Sequence, residues 1–171
     1  IQMSDTSGIR QWCKEWYTIP VERRQIIQRH QMTAPVKISA ICAEFDVSIK
    51  LAPLPARISG EIRPVPGQSG KFEIKINRFE SANRQRFTAA HELAHYLVHE
   101  DQIGSGIVDS VLYRSNRSNF IEAQANRLAA DLLMPVNLLE LYLENFQPNM
   151  AIEAHVLNMA EYFSVSEMAL R

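Results

Sequence analysis

The chain has 171 residues, 46% hydrophobic and 22% charged, and is predicted to form a single domain over residues 1–171 around one core. Its 18 Lys and Arg balance 19 Asp and Glu, which excludes an overall basic surface for nucleic acid or anionic membranes. Two cysteines, Cys13 and Cys42, allow at most one bridge, and neither a signal peptide nor a membrane-length apolar run is present. These features predict a cytoplasmic protein.

The first half of the chain is predicted to contain helices followed by strands. Apolar residues recur at helical spacing over residues 5–30, with an interruption at Pro20, and a second helix is predicted to start at Pro35. Strands are predicted over residues 47–51, 58–65 and 71–77. In the last of these, apolar and charged residues alternate, which predicts a half-exposed strand at a sheet edge.

The second half is predicted to be mainly helical. Ser81 can cap a helix over residues 83–99, because its hydroxyl can accept hydrogen bonds from the unpaired N–H groups of the first turn. A loop is predicted over residues 101–116. Further helices are predicted over residues 119–134, 136–146 and 150–170. Helices, a few strands and then helices are typical of an α+β domain.

The segment R-F-T-A-A-H-E-L-A-H-Y-L-V-H at 86–99 contains the pattern H-E-x-x-H. On a helix, His91 and His95 share one face with β-carbons about 5–6 Å apart, so both rings can bind one Zn²⁺ ion at about 2.0–2.1 Å. Glu92 is close enough to serve as general base toward a water that zinc activates. The motif predicts hydrolysis of peptide bonds.

Catalytic zinc usually binds three protein ligands, and the third is predicted to be Glu122. His99 lies a further turn along the same straight helix. Asp101 occupies the last ligand position of an extended motif, but Val98 replaces the glycine that would let that chain turn. Glu122 begins a stretch of small residues suited to packing on the motif helix. Asn126, one turn later, is predicted to hold a histidine ligand through its amide oxygen, with an ordinary solvated position as the alternative.

Two segments, 86–99 and E-A-Q-A-N-R-L-A-A-D-L-L-M-P at 122–135, resemble the ImmA/IrrE-type zinc metallopeptidases. The resemblance implies a small gluzincin-like domain, in which a short, mostly antiparallel sheet packs with helices that include the H-E-x-x-H helix. It implies His91, His95 and Glu122 as zinc ligands and Glu92 as base. It also implies a cytoplasmic endopeptidase of a bacterium or phage, whose partner is an Xre-type helix-turn-helix repressor or antitoxin, in some relatives within a toxin–antitoxin pair.

Two other functions compete with this prediction. The tail A-E-Y-F-S-V-S-E-M-A-L resembles half of a helix-turn-helix, but residues 149–171 carry three glutamates against Arg171 alone, which disfavours phosphate contact. No direct nucleic-acid binding is therefore expected. The other alternative is a toxin or regulatory interaction module that binds its partner without proteolysis, against which the intact motif with Glu92 argues.

Two features bear on substrate binding. Strand 71–77 comes just before the metal helix, and an extended substrate that paired with it would lie near the zinc ion. Tyr113 and Arg114 are the nearest candidates in sequence for a second oxyanion donor, and neither is assigned this role.

Overall fold

The computed structural model describes residues 11–104, 106–110, 116–145 and 149–170. The helices are α1 (Val21–Arg29), α2 (Ile38–Glu44), α3 (Ala82–His99), α4 (Asn116–Leu133), α5 (Val136–Glu144) and α6 (Ile152–Phe163). The strands are β1 (Val47–Ala52), β2 (Ile58–Pro64), β3 (Phe72–Asn77) and β4 (Ile107–Ser110). Short 3-10 helices span Lys14–Thr18, Glu100–Gln102 and Glu167–Leu170. Helices packed on one short sheet give the predicted α+β class.

Within the described ranges, the strands form one sheet in the order β1-β3-β2-β4. β3 is parallel to β1, from Val47 opposite Phe72 to Ala52 opposite Asn77. β2 is antiparallel to both of its neighbours, β3 and β4. The prediction of a short, mostly antiparallel sheet is therefore confirmed.

The prediction that residues 71–77 form an edge strand was wrong. β3 is paired on both sides, and β1 and β4 are the edges of the sheet in the described chain. The alternation instead reflects the two faces of the sheet, because Phe72, Ile74 and Ile76 are buried in the core. Alternation reports which face of a strand is buried and does not report whether its backbone is paired. A substrate strand therefore has no free edge at β3.

The opposite face of the sheet carries charged side chains that pair with one another. Lys50 Nζ lies 2.9 Å from Glu73 Oε2, and Glu61 lies 3.0 Å from Arg63 Nη2 and 3.6 Å from Lys75 Nζ. The pairs Lys50–Glu73 and Glu61–Lys75 join adjacent strands, and opposite charges in such positions stabilise a solvated sheet face modestly. The helices therefore cover the apolar face, and the domain has two layers.

Helix α3 packs on β2 and β3 at the apolar face of the sheet and is buried along most of its length. It begins as predicted at Ser81, whose Oγ accepts a hydrogen bond from Arg84 N at 3.4 Å. Ala90, Leu93 and Ala94 have no exposed surface. The small alanines let neighbouring elements approach the helix axis closely, which is how α4 comes to lie beside the histidine motif.

Arg86 joins α3 to the end of α6. Its guanidinium donates to Ser164 O at 3.1 Å, to Phe163 O at 3.3 Å and to Val36 O at 3.1 Å. A cation at a helix C-terminus satisfies carbonyls that the helix leaves unpaired and interacts favourably with the helix dipole. Ser164 adopts a left-handed conformation (φ 51°) that ends α6, so the predicted helix over 150–170 was wrong beyond Phe163.

Several other boundaries differ from the predictions. Helix α2 begins at Ile38 rather than Pro35, because Lys37 is still extended. Helix α4 begins at Asn116, so Glu122 lies inside it rather than at its start. Strand β4 lies within the predicted loop 101–116, because a strand of four residues is too short to give a clear pattern.

The cysteines and the tail follow the simpler predictions. Cys13 and Cys42 are free thiols. Phe163 and Val165 are buried in the core, so the end of the tail serves packing. None of the helices in the described ranges is both long and apolar enough to cross a bilayer.

The 3-10 helix Lys14–Thr18 is attached to α4 by buried carboxylates. Arg127 donates to Glu15 at 2.6 Å and 3.2 Å, and Cys13 N donates to Asp131 Oδ2 at 2.7 Å. Buried carboxylates require such partners. Burial raises the pKa of the Glu15 carboxyl, but the hydrogen bonds from Arg127 and neighbouring groups lower it by more, so it lies below its ordinary value.

We expect the Glu15–Arg127 pair to make stability depend on pH in acid. Because the folded-state pKa of Glu15 lies below its unfolded value of 4.5, its contribution is fully present above pH 4.5 and is lost as the pH falls through the folded-state pKa. Between about pH 5 and pH 3, Glu15→Gln should therefore lose less stability than the wild type in urea unfolding. The exposed Glu22→Gln is the matched control. Equal losses for wild type and Glu15→Gln would contradict this role.

Candidate metal centre

Three side chains from two helices converge between α3 and α4. His91 Nε2 lies 2.9 Å from Glu122 Oε2, and His95 Nε2 lies 3.2 Å from Glu122 Oε1. The two Nε2 atoms are 3.1 Å apart. Both histidines are buried, whereas the side chain of Glu122 is 27% exposed. The cluster is therefore reachable from solvent on the Glu122 side.

Hydrogen bonds at the far side of each ring direct the Nε2 atoms toward one another. His91 Nδ1 lies 2.9 Å from Asn126 Oδ1, and an amide oxygen only accepts, so Nδ1 carries the proton of the neutral ring. Asn126 thus has the contact that the sequence predicted for it. His95 Nδ1 lies 3.0 Å from His99 Nδ1.

Electrostatics keep the cluster in the protonation states that bind metal. Burial raises the pKa of the Glu122 carboxyl, but the adjacent rings of His91 and His95 lower it by more, to about 2. Burial lowers the pKa of His95 and outweighs the opposing effect of Glu122. Near neutral pH, Glu122 is therefore a carboxylate and His95 a neutral ring, which are the forms that coordinate a cation.

The three side chains fit a divalent metal ion. Atoms that share one tetrahedral ion at about 2.0–2.2 Å lie about 3.3–3.6 Å apart. The observed separations of 2.9, 3.1 and 3.2 Å are shorter by only a few tenths of an ångström. Two imidazoles and one carboxylate are also a donor set that metallopeptidases use for zinc. Among the described residues, this is the group of His, Cys, Asp and Glu side chains with metal-site geometry.

Glu92 lies next to His91 and is fully buried against strand β2. A β-carbon at Gly60 would lie 3.3 Å from Glu92 Oε1, 2.5 Å from Thr88 Cγ2 and 3.0 Å from Lys75 O. The missing side chain therefore lets α3 approach the sheet and leaves room for the Glu92 carboxylate. Gly60 was not predicted to bear on the site, although a glycine within a strand is a signal of close backbone approach.

We expect Gly60→Ala to destabilise the protein by about 1–3 kcal/mol, because the added methyl overpacks the contact with α3. Denaturant unfolding measures this change. Thr88→Ser removes the Cγ2 methyl that the new side chain meets most closely, so it should restore part of the loss in the double variant. Additive losses in the double variant would show that the contact with Thr88 is not the cause.

The other residues considered as ligands or oxyanion donors lie away from the cluster or outside the residues that the structure describes. Asp101 is exposed in the 3-10 helix Glu100–Gln102 and is not part of the converging group. Tyr113 and Arg114 lie outside the described residues. His99 is not among the converging groups either. It does contact His95 and Gln124, and neither contact was predicted from the sequence.

Comparison with known proteins places the chain in a metallopeptidase family. The family model described as the IrrE N-terminal-like domain matches residues 42–171. The chain is 34% identical over 112 residues to the radiation response metalloprotease IrrE of Deinococcus radiodurans, covering 61% of this chain. It is 35% identical over 97 residues to the protein of the same name from Deinococcus deserti, covering 56% of this chain. The aligned part spans 34% of the length of each relative. This chain belongs to the IrrE N-terminal-like domain family, a family of metallopeptidases of the ImmA/IrrE type.

Proposed function

We propose that the chain is a zinc-dependent endopeptidase in which His91, His95 and Glu122 hold one Zn²⁺ ion and Glu92 is the general base. The convergence of two imidazole nitrogens and one carboxylate within 4.8 Å of one another carries this proposal. Three protein ligands would leave a fourth position for water or substrate, as catalytic zinc sites require.

Each residue then has a distinct task in peptide hydrolysis. When bound, zinc supplies Lewis acidity, which lowers the pKa of water to about 7 and polarises a carbonyl. Glu92 accepts a proton from the attacking water and delivers it to the departing amine, as a general base and then a general acid. Its burial against β2 holds the carboxylate in one place. Asn126 holds the ring of His91 in the orientation that presents Nε2.

We further propose that the substrate is an Xre-type helix-turn-helix repressor or antitoxin. The chain is proposed to be of bacterial or phage origin and to act in the cytoplasm. The support is the resemblance of residues 86–99 and 122–135 to ImmA/IrrE-type enzymes. The name of the Deinococcus relatives, radiation response metalloproteases, is compatible with a regulatory role.

An extended substrate segment is proposed to add to the outer edge of β4. Strand β2 lies beside Glu92 at Gly60, and Gly60 is paired with Asp109 of β4. In the described chain, the outer edge of β4 is open, and the other sheet edge is separated from β2 by β3. Backbone pairing with an open edge strand is a common mode of peptide binding. The β4 edge therefore replaces the β3 edge that the sequence suggested.

The test is cleavage of purified helix-turn-helix repressors by the zinc-loaded protein, followed by intact mass spectrometry. We expect cleavage at one or a few bonds in a repressor, and none after chelation or with Glu92→Gln. Cleavage of unfolded casein alone would support the peptidase and reject the partner. If a repressor bound but neither the repressor nor casein were cleaved, the interaction module would be favoured.

A further inference from the structure

A chain of hydrogen bonds runs from the back of His95 to helix α4. His95 Nδ1 lies 3.0 Å from His99 Nδ1, and His99 Nε2 lies 3.0 Å from Gln124 Oε1. We propose that His99 and Gln124 are positioning residues, which fix the tautomer and the ring orientation of His95 so that its Nε2 faces the ion. This inference rests on the metal site of the proposed function.

The donors and acceptors in this series of hydrogen bonds fit one arrangement. Gln124 Oε1 only accepts, so His99 must carry its proton on Nε2 and donate it there. The Nδ1 atom of neutral His99 then bears a lone pair and accepts. His95 in turn donates its Nδ1–H, which leaves the Nε2 lone pair for the ion. Every link has one donor and one acceptor, and the polarity is set from the Gln124 end.

Because His95 and His99 are both buried, water cannot readily take the place of His99 as the hydrogen-bond acceptor for His95. His95 has no exposed surface, and His99 is 3% exposed. The two rings pack with centroids 5.1 Å apart, so the Nδ1–H of His95 is enclosed by protein. An unpaired donor in such a place would cost about 1–3 kcal/mol. His99 therefore supplies the acceptor that the buried ring needs.

The positions of the helices explain why His95 needs an intermediate residue and His91 does not. Asn126 of α4 contacts His91 directly at 2.9 Å. The α4 group that serves His95 is Gln124, and it acts through the ring of His99, one turn further along α3. Helix α4 thus provides Glu122 to the cluster and the outer hydrogen-bond partner of each histidine.

The first test is zinc affinity, measured by competition with a chromophoric chelator. His99→Leu fills the space but accepts no hydrogen bond, so its affinity should fall about 10–100-fold, as for other outer partners of metal ligands. Asparagine places Oδ1 at the position of Nδ1, so His99→Asn should retain most of the affinity. A role in packing alone predicts the reverse order, because leucine is the larger apolar residue.

Gln124 provides a second pair of variants at a less buried position. Gln124→Glu keeps an acceptor for the Nε2–H of His99 and should retain most of the zinc affinity. Gln124→Met keeps the length of the side chain without the acceptor and should bind more weakly. This pair tests the proposal even if a His99 variant fails to fold.

The tautomers themselves are measured by long-range ¹H–¹⁵N NMR of the zinc-loaded protein. We expect the proton of His99 on Nε2 and that of His95 on Nδ1. A proton on Nδ1 of His99, or wild-type affinity in both His99→Leu and Gln124→Met, would overturn the positioning role. If Glu122→Ala still lost zinc in that case, the proposed metal site would stand. If the wild type bound no zinc, the proposed function and this inference would both fail.

Discussion

Glu92→Gln is expected to reduce peptide hydrolysis about 10²–10⁴-fold, the usual contribution of a general base. Glutamine has the shape of glutamate but cannot accept the proton at neutral pH. Because Glu92 is fully buried and lies against Gly60, a substitution of equal size should preserve packing. Zinc content should stay at the wild-type level, since Glu92 is not one of the three converging side chains.

The measurement for Glu92→Gln is kcat/KM on a cleaved peptide, with zinc content determined on the same samples. Glu100→Gln is the matched control, because Glu100 lies on the surface and pairs with Arg23 at 3.4 Å. We expect the control to keep full activity. Activity of Glu92→Gln within a few-fold of the wild type would place the general base elsewhere.

Glu122→Ala is expected to weaken zinc binding by more than about 100-fold, beyond the 10–100-fold typical of residues that only support a ligand. Glu122 contacts both Nε2 atoms, at 2.9 and 3.2 Å, and its removal would leave two neutral imidazoles. Two ligands are fewer than catalytic zinc normally takes from protein. Hydrolysis should be lost together with the ion.

Asp101→Ala is the matched control for Glu122→Ala, because Asp101 is the alternative third ligand by sequence position. It is exposed and separate from the cluster, so the variant should bind zinc as the wild type does. Chelator competition measures both affinities. Loss of zinc from Asp101→Ala together with retention by Glu122→Ala would reverse the assignment.

The local part of the site could be predicted from sequence because helical spacing determines it. His91 and His95 are four residues apart on α3, and this spacing alone places their rings together. Glu122 was harder to predict, since its distance along the sequence does not relate α3 to α4. The prediction rested on the small residues that follow Glu122 and on the resemblance of the second segment. The structure brings all three side chains together. Their roles as ligands stay predictions until an ion is measured.

The contacts missed by the sequence analysis depend on how separate elements pack. The role of His99 is visible only when Gln124, 25 residues away, is seen to face it. The edge prediction for β3 failed because periodicity describes faces and not neighbours. Strand β4 was assigned to a loop because its pairing with β2, rather than its own composition, makes it a strand.

The most direct test of the central claim is X-ray absorption at the zinc edge on the protein purified without chelator. The three-ligand site predicts about one zinc per chain with nitrogen and oxygen neighbours at about 2.0–2.2 Å. It predicts the scattering pattern of two imidazoles, together with loss of the ion in Glu122→Ala. Absence of bound zinc after zinc is added back, or a coordination sphere with sulfur or without two imidazoles, would contradict the site formed by His91, His95 and Glu122.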